Sequence, residues 1–361
     1  MLALRKLVPG PGEPALAEVP VPEPGPGEVR IAVTAAGICG TDLHLLRDEY
    51  TFRPPVTMGH EVAGIVDAVG DGVDRAWMGA LVAPETAFST CGICPWCRDG
   101  RPMLCASRRS IGSGVDGGFA SCVVVPARNL HRIPDTIDDH AAALAEPLAC
   151  VCNAIGEGVV APGDRVVVIG AGAMGILAAQ VARAAGGTVT LIGTPADADR
   201  LKLVESLGIP TASTDDAEAV ARLDAAAAAR EIDVVVECAG VEAAVRNGLN
   251  LVRPTGTFIQ VGLLGGDVTI PFGQIVLKEI DVRSAFGSSP AAWRQMERLL
   301  ATGLIDLSSL VTEVLPLDDW RRAFEHLENR QGIKTVFDPR LVPADRQSLI
   351  GGRTAGSGGN G

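Results

Sequence analysis

The chain has 361 residues, 47% hydrophobic and 20% charged, enough for about two or three globular domains around a sizeable core. Its net charge is −12, which excludes a basic track for nucleic-acid phosphates and a docking face for an anionic membrane. The longest stretch without polar side chains, 166–179, is too short to span a bilayer.

The start, MLALRKLVPG, lacks the apolar core and cleavage site of a signal peptide, so a cytoplasmic protein is expected. Residues 1–150 read as a β-rich domain, with short apolar strands at 29–33, 61–69 and 121–125 between Gly and Pro turns. Over 151–289 the texture changes. Strand-like runs at 165–170, 188–192, 232–240 and 257–262 alternate with Ala/Leu-rich helical stretches at 175–185, 199–207 and 216–230. That alternation predicts an α/β fold with a parallel, doubly wound Rossmann sheet. Residues 290–340 follow with a helix at 291–302, a strand at 310–315 and a helix at 317–329. The last part, 341–361, closes on GGRTAGSGGNG, a composition expected to be disordered.

Four of the nine cysteines, Cys91, Cys94, Cys97 and Cys105, share the spacing C-x2-C-x2-C-x7-C. Disulfides are rare in the cytoplasm, and four clustered thiolates make a closed tetrahedral zinc site. Gly and Pro between them favour the turns that gather the sulfurs. Such a site has no open position, so it clips a loop and leaves the chemistry elsewhere. A zinc ribbon for nucleic acid is disfavoured by the acidic chain.

A second constellation spans 37-GICGTDLH-44, 59-GHEVAGIVDAVG-70 and 145-AEPLA-149. Singly, Cys39 reads as a core thiol, His60 as a satisfied core histidine and Glu146 as a helix-start carboxylate. Together they offer the mixed S, N and O donors of a catalytic zinc, with Glu61 as a displaceable ligand or a supporting carboxylate.

The segment 59-GHEVAGIVDAVGDGV-73 matches G-H-E-x2-G-x5-G-x2-V, and with the cysteine lobe the sequence resembles the zinc-containing medium-chain alcohol dehydrogenases over about residues 1–340. Glu146-Pro147-Leu148 resembles the sorbitol and threonine dehydrogenase branch. The resemblance implies a GroES-like catalytic domain, to which 290–340 returns. It also implies two zinc ions per chain, one structural and one catalytic, the catalytic one held by Cys39 and His60 with its remaining position shared among Glu61, Glu146 and water.

The family places a hydroxyl and an imidazole where Thr41 and His44 stand. Zinc lowers the pKa of an alcohol, and the released proton needs a relay out of a dry pocket. The plain alternative is that Thr41-Asp42 caps a helix with His44 on its exposed face.

After the strand at 166–169 comes 170-GAGAMG-175, a G-x-G-x-x-G in the strand-to-helix context that the motif demands. Gly170 makes the turn, Gly172 admits a pyrophosphate beside Ala173 and Met174, and Gly175 lets helix and strand pack closely. The next strand ends in Gly193-Thr194 instead of the acid that binds an NAD ribose. This tilts the expectation from NAD towards NADP, whose phosphate would meet Thr194 and Arg200.

The resemblance further places Val261, Gly262, Leu263, Ala285, Phe286 and Gly287 against the nicotinamide. Gly287-Ser288 replaces the Arg-Tyr pair of sorbitol enzymes, which puts sorbitol itself in doubt. The expected partner is a small alcohol or ketone: a polyol, a sugar-like compound or an amino alcohol. Residues 280–286 read as a sheet edge that pairs with a second subunit, giving a homodimer or homotetramer. Two other readings stand beside this one: a zinc-free quinone or enone reductase of the same superfamily, and a non-catalytic nucleotide-binding protein.

Overall fold

The computed structural model describes residues 1–341; the Gly-rich end at 351–361 lies outside them. Two sheets organise the chain. The first runs, strand by strand, Leu130–Arg132, Leu81–Pro84, Glu61–Val69, Glu28–Gly37, Lys334–Phe337 and Val311–Leu315, with Cys122–Pro126 also paired to Glu28–Gly37. The central strand Glu28–Gly37 alternates half-buried and buried residues over its first half and is buried from there to its end. Ile31, Val33, Val62 and Val66 close on Phe119 and Phe337.

The second sheet is parallel throughout, in the order Thr211–Ser213, Thr188–Gly193, Arg165–Ile169, Val234–Glu237, Thr257–Gln260, Asp281–Ser284. Strand order reverses between Arg165–Ile169 and Val234–Glu237, and a crevice opens at their carboxyl ends. Asp281–Ser284 forms one edge of this sheet and is exposed at every residue.

The helix Ala145–Ile155 joins the two halves. It packs against the helices Ala173–Ala184 and Pro290–Thr302, and Glu146 is among its many buried residues. Its Ala-rich sequence is what permits close approach on several sides at once.

Most expected elements appear with ends moved by a few residues. The helix expected at 216–230 is Ala217–Ala228, capped by Asp216, whose carboxylate accepts from the Glu218 and Ala219 N–H groups. The helix expected at 317–329 begins only at Trp320. Among the strands not foreseen is Lys334–Phe337, which lies beside Glu28–Gly37 and runs parallel to Val311–Leu315. Its four residues are all buried, so it shows no alternation to betray it.

Candidate active site

The strand Glu28–Gly37 delivers the chain to Cys39, which caps the helix Gly40–Leu46. The Asp42 carboxylate accepts from the Cys39 N–H at 2.9 Å. The cap is therefore Cys39, not Thr41, and Thr41 stands free in the first turn with its hydroxyl 3.7 Å from the Cys39 sulfur. His60 and Glu61 enter from the neighbouring strand Glu61–Val69, and the ligand atoms of Cys39, His60 and Glu61 all lie within 4.8 Å of one another. Glu146 enters from the joining helix, where its carboxylate accepts from the Cys150 thiol at 3.3 Å.

Two further groups settle how these donors are held. Asp42 is fully buried, its Oδ1 has no hydrogen-bond partner, and it lies 3.8 Å from His60 Nδ1. Burial pushes the Asp42 carboxyl up, and the charge of His60 pulls the other way. At 3.8 Å this is a charge contact and not a hydrogen bond, and a carboxylate on the Nδ1 side is the usual neighbour of an imidazole that binds zinc through Nε2. Lys334 lies 2.7 and 2.8 Å from the two oxygens of Glu61, both side chains buried. Burial pulls the Lys334 ammonium down, but Glu61 and Cys39 outweigh it and hold it above its ordinary range. Cys39, His60 and Glu61 offer the thiolate, imidazole and carboxylate donors that fit zinc, with both Glu61 oxygens engaged by Lys334, and Glu146 lies outside this close group.

The four lobe sulfurs form a second compact group. Cys94–Cys97, Cys91–Cys105 and Cys91–Cys97 are separated by 3.4, 3.6 and 4.0 Å. A zinc tetrahedron with metal–sulfur bonds of about 2.3 Å has edges of about 3.8 Å. Backbone N–H groups of Ile93 and Cys94 pull the Cys91 thiol down to about 6, the direction a thiolate ligand needs.

A cleft of about 440 Å³ runs along the carboxyl ends of the parallel strands. Gly170 turns the chain at φ 111°, and a Cβ on Gly175 would drive into the Gly170 carbonyl oxygen. A Cβ on Gly172 would meet no protein atom within 4 Å, so that glycine leaves the backbone open to a pyrophosphate at the start of the helix Ala173–Ala184. Ala173, Met174, Gly193, Thr194 and Arg200 also line this cleft. The Asp197 carboxylate accepts from the Thr194 hydroxyl at 2.7 Å and from Arg200 at 3.2 Å. Arg200 also donates to the carbonyls of Arg330 and Gly332.

A second cavity, about 330 Å³, adjoins the first. Val261, Gly262, Leu263, Ala285, Phe286 and Gly287 line it, as do Thr41, His44, His60 and Glu146. His44 Nδ1 lies 2.6 Å from Glu49. Cys39, Gly40, Glu61, Met174, Cys238 and Ala239 line both cavities, so the metal-type donors stand where the two meet.

Sequence reasoning missed Lys334, the orienting role of Asp42, and Glu237. Glu237 is buried and accepts from the Ala239 and Gly240 N–H groups and from Gln260, shaping the wall between the cavities. Asp42 was visible as a helix-start acid; Lys334 and Glu237 carry no local signal.

Residues 25–135 match the Alcohol dehydrogenase GroES-like domain family, and residues 173–302 match the Zinc-binding dehydrogenase family. The chain belongs to the zinc-binding alcohol dehydrogenases. It is similar to a sorbitol dehydrogenase of Halalkalibacterium halodurans, 38% identical over 94% of this chain and 99% of the relative. It is also similar to an L-threonine 3-dehydrogenase of Bacillus velezensis, 33% identical over 90% of this chain and 95% of the relative. Among solved structures, a zinc-binding dehydrogenase of Sinorhizobium meliloti bound to NADP superposes with a TM-score of 0.82 at 34% identity, covering 94% of this chain and 99% of the other. This zinc-binding dehydrogenase is therefore an NAD(P)-dependent oxidoreductase of CH–OH groups.

Proposed function

We propose that the enzyme oxidises a secondary alcohol of a polyol, sugar-like compound or amino alcohol, the substrate types named in its sorbitol and threonine dehydrogenase relatives. One observation carries this reading: the donors Cys39 and Glu61 line both the dinucleotide cleft and the second cavity, so a substrate oxygen at the metal places its carbinol carbon beside the nicotinamide end of the cleft. Zinc bound there would supply Lewis acidity to the alcohol oxygen, and a nicotinamide bound in the cleft would provide the hydride acceptor. The residues do the rest. Cys39 and His60 would hold the metal, with Glu61, gripped by Lys334, or Glu146 completing the set. Thr41 accepts the alcohol proton, and His44, half-exposed and backed by Glu49, passes it to solvent.

Cys91, Cys94, Cys97 and Cys105 hold a second, structural zinc. The catalytic unit comprises 1–150 with 290–340, the nucleotide unit 151–289. Arg200 and Arg330 stand at the ribose end of the cleft against one carboxylate, Asp197; this excess of positive charge supports NADP as the preferred cofactor. Exposed Phe272, Val276, Leu277 and Val282 lie on and near the open edge strand, which supports a homodimer or homotetramer. No helix of the described residues is long and apolar enough to cross a membrane, which accords with a cytoplasmic enzyme.

The test is a panel of polyols and β-hydroxy amino acids with both oxidised cofactors, followed by nicotinamide absorbance. Zinc-loaded enzyme should reduce cofactor with members of the panel, and chelation should abolish it. Turnover of quinones or enones with indifference to chelators would favour the zinc-free reductase instead.

A further inference from the structure

The charged groups around the second cavity balance one another, with one exception. Glu61 is matched by Lys334, and His44 by Glu49. Cys39, His60 and Glu146 are accounted for by the metal they would hold. Arg108 is left over. It lines the cavity and, among the described residues, no carboxylate pairs with it. Its guanidinium donates only to weak or distant acceptors, the Met103 sulfur and the Tyr50 hydroxyl, each at 3.4 Å. It lies over the Phe286 ring, 5.1 Å from the centroid. That stacking holds the planar fork in place without using its in-plane N–H groups.

Two residues along, Ser110 points to the same need. It lines the same cavity, is 8% exposed, and its Oγ has no hydrogen-bond partner. A buried hydroxyl without a partner costs free energy that an occupant's oxygen would recover.

We infer that this subsite takes an oxyanion carried by the substrate, so that the natural substrate is an anionic alcohol, a phosphomonoester or a carboxylate, and not a neutral polyol. Resting on the dehydrogenase reading above, the inference adds which alcohols bind. The Arg108 fork meets two oxygens of the anion, and Ser110 and Tyr50 supply hydroxyl donors to the same group. A neutral hydroxyl in that position leaves the guanidinium charge unanswered, and this is what discriminates against uncharged polyols.

The experiment is calorimetric titration of the zinc-loaded enzyme, saturated with reduced cofactor so that no oxidation occurs. Sorbitol, sorbitol 6-phosphate and gluconate are the probes. Wild type should bind at least one anionic probe about tenfold or more tightly than sorbitol. In Arg108→Gln that ratio should fall to about threefold or less. Arg108→Lys should keep part of the gain, and Ser110→Ala should reduce it. Melting curves establish that each variant is folded.

Gain with sorbitol 6-phosphate alone identifies a phosphomonoester site; gain with gluconate identifies a carboxylate site. Equal binding of all three probes by wild type overturns the inference, as does a ratio that survives in folded Arg108→Gln. The dehydrogenase reading is judged apart, by turnover with oxidised cofactor, which these titrations do not involve.

Discussion

Lys334 and Glu61, 273 positions apart in the chain, form a buried ion pair at the centre of the active site. Lys334 also donates to the Ile38 carbonyl at 3.0 Å, so it ties the strand Lys334–Phe337 to the segment that ends in Cys39. Removing one member of such a pair strands the other charge. Lys334→Met should cost about 3–5 kcal/mol in urea unfolding, and the double variant Lys334→Met/Glu61→Leu should recover a large part of it. A loss under about 1 kcal/mol for the single variant would mean that Glu61 is held by another partner, such as the metal.

The two proposed metal sites should separate by role. Cys94→Ser should lower zinc from about two to about one per chain and lower the melting temperature, because binding energy at a closed four-thiolate site is folding energy. His60→Ala should abolish turnover while the lobe zinc remains and the melting temperature changes little. Elemental analysis beside thermal melts decides it; Cys94→Ser that still holds two zincs at wild-type stability contradicts the lobe assignment.

His131 predicts a pH dependence of stability away from both metal sites. Its Nδ1 lies 2.9 Å from Glu297 and its Nε2 3.2 Å from Glu85, with the ring stacked 4.7 Å from Trp293. Burial pulls the imidazole down, but the hydrogen bonds to Glu85 and Glu297 outweigh it and raise it above its ordinary value. A raised folded value means the stabilisation is fully present below the unfolded pKa and is lost as pH rises through the folded one. The stability advantage of wild type over His131→Gln should therefore shrink as pH rises above the ordinary histidine range. An advantage that grows as pH rises would show that the clamp works with neutral His131.

Cofactor choice should turn on Asp197. Placing an acid at the strand end itself crowds the turn, because a Cβ on Gly193 would lie 2.9 Å from the Leu201 Cδ2 and 3.2 Å from the Asp197 Cβ, so the Leu201 side chain would have to shift. Asp197→Ala frees Thr194 and Arg200 and removes a like charge from the 2′-phosphate. By fluorescence titration it should tighten NADPH relative to NADH by about tenfold. Arg330→Ala should do the opposite. An unchanged ratio in both would place the ribose away from this turn.

What could be read from the sequence was whatever is local. The cysteine lobe, G-x-G-x-x-G and the Gly-His-Glu segment each carry their chemistry within a few residues, since a metal loop or phosphate turn must be built from neighbouring backbone. The alternation of strand and helix over 151–289 was legible in its four central strands and three of its helices, which show their own apolar pattern, while Thr211–Ser213, Glu242–Leu251 and Gly273–Leu277 were not foreseen. Tertiary structure alone decided the pairings. Lys334 meets Glu61 only because a short, wholly buried strand slots in beside Glu28–Gly37. Arg108 becomes an unmatched charge only once Phe286, from the far end of the nucleotide sheet, closes over it. Burial and charge balance belong to the assembled cavity, and no window of the sequence contains all its walls.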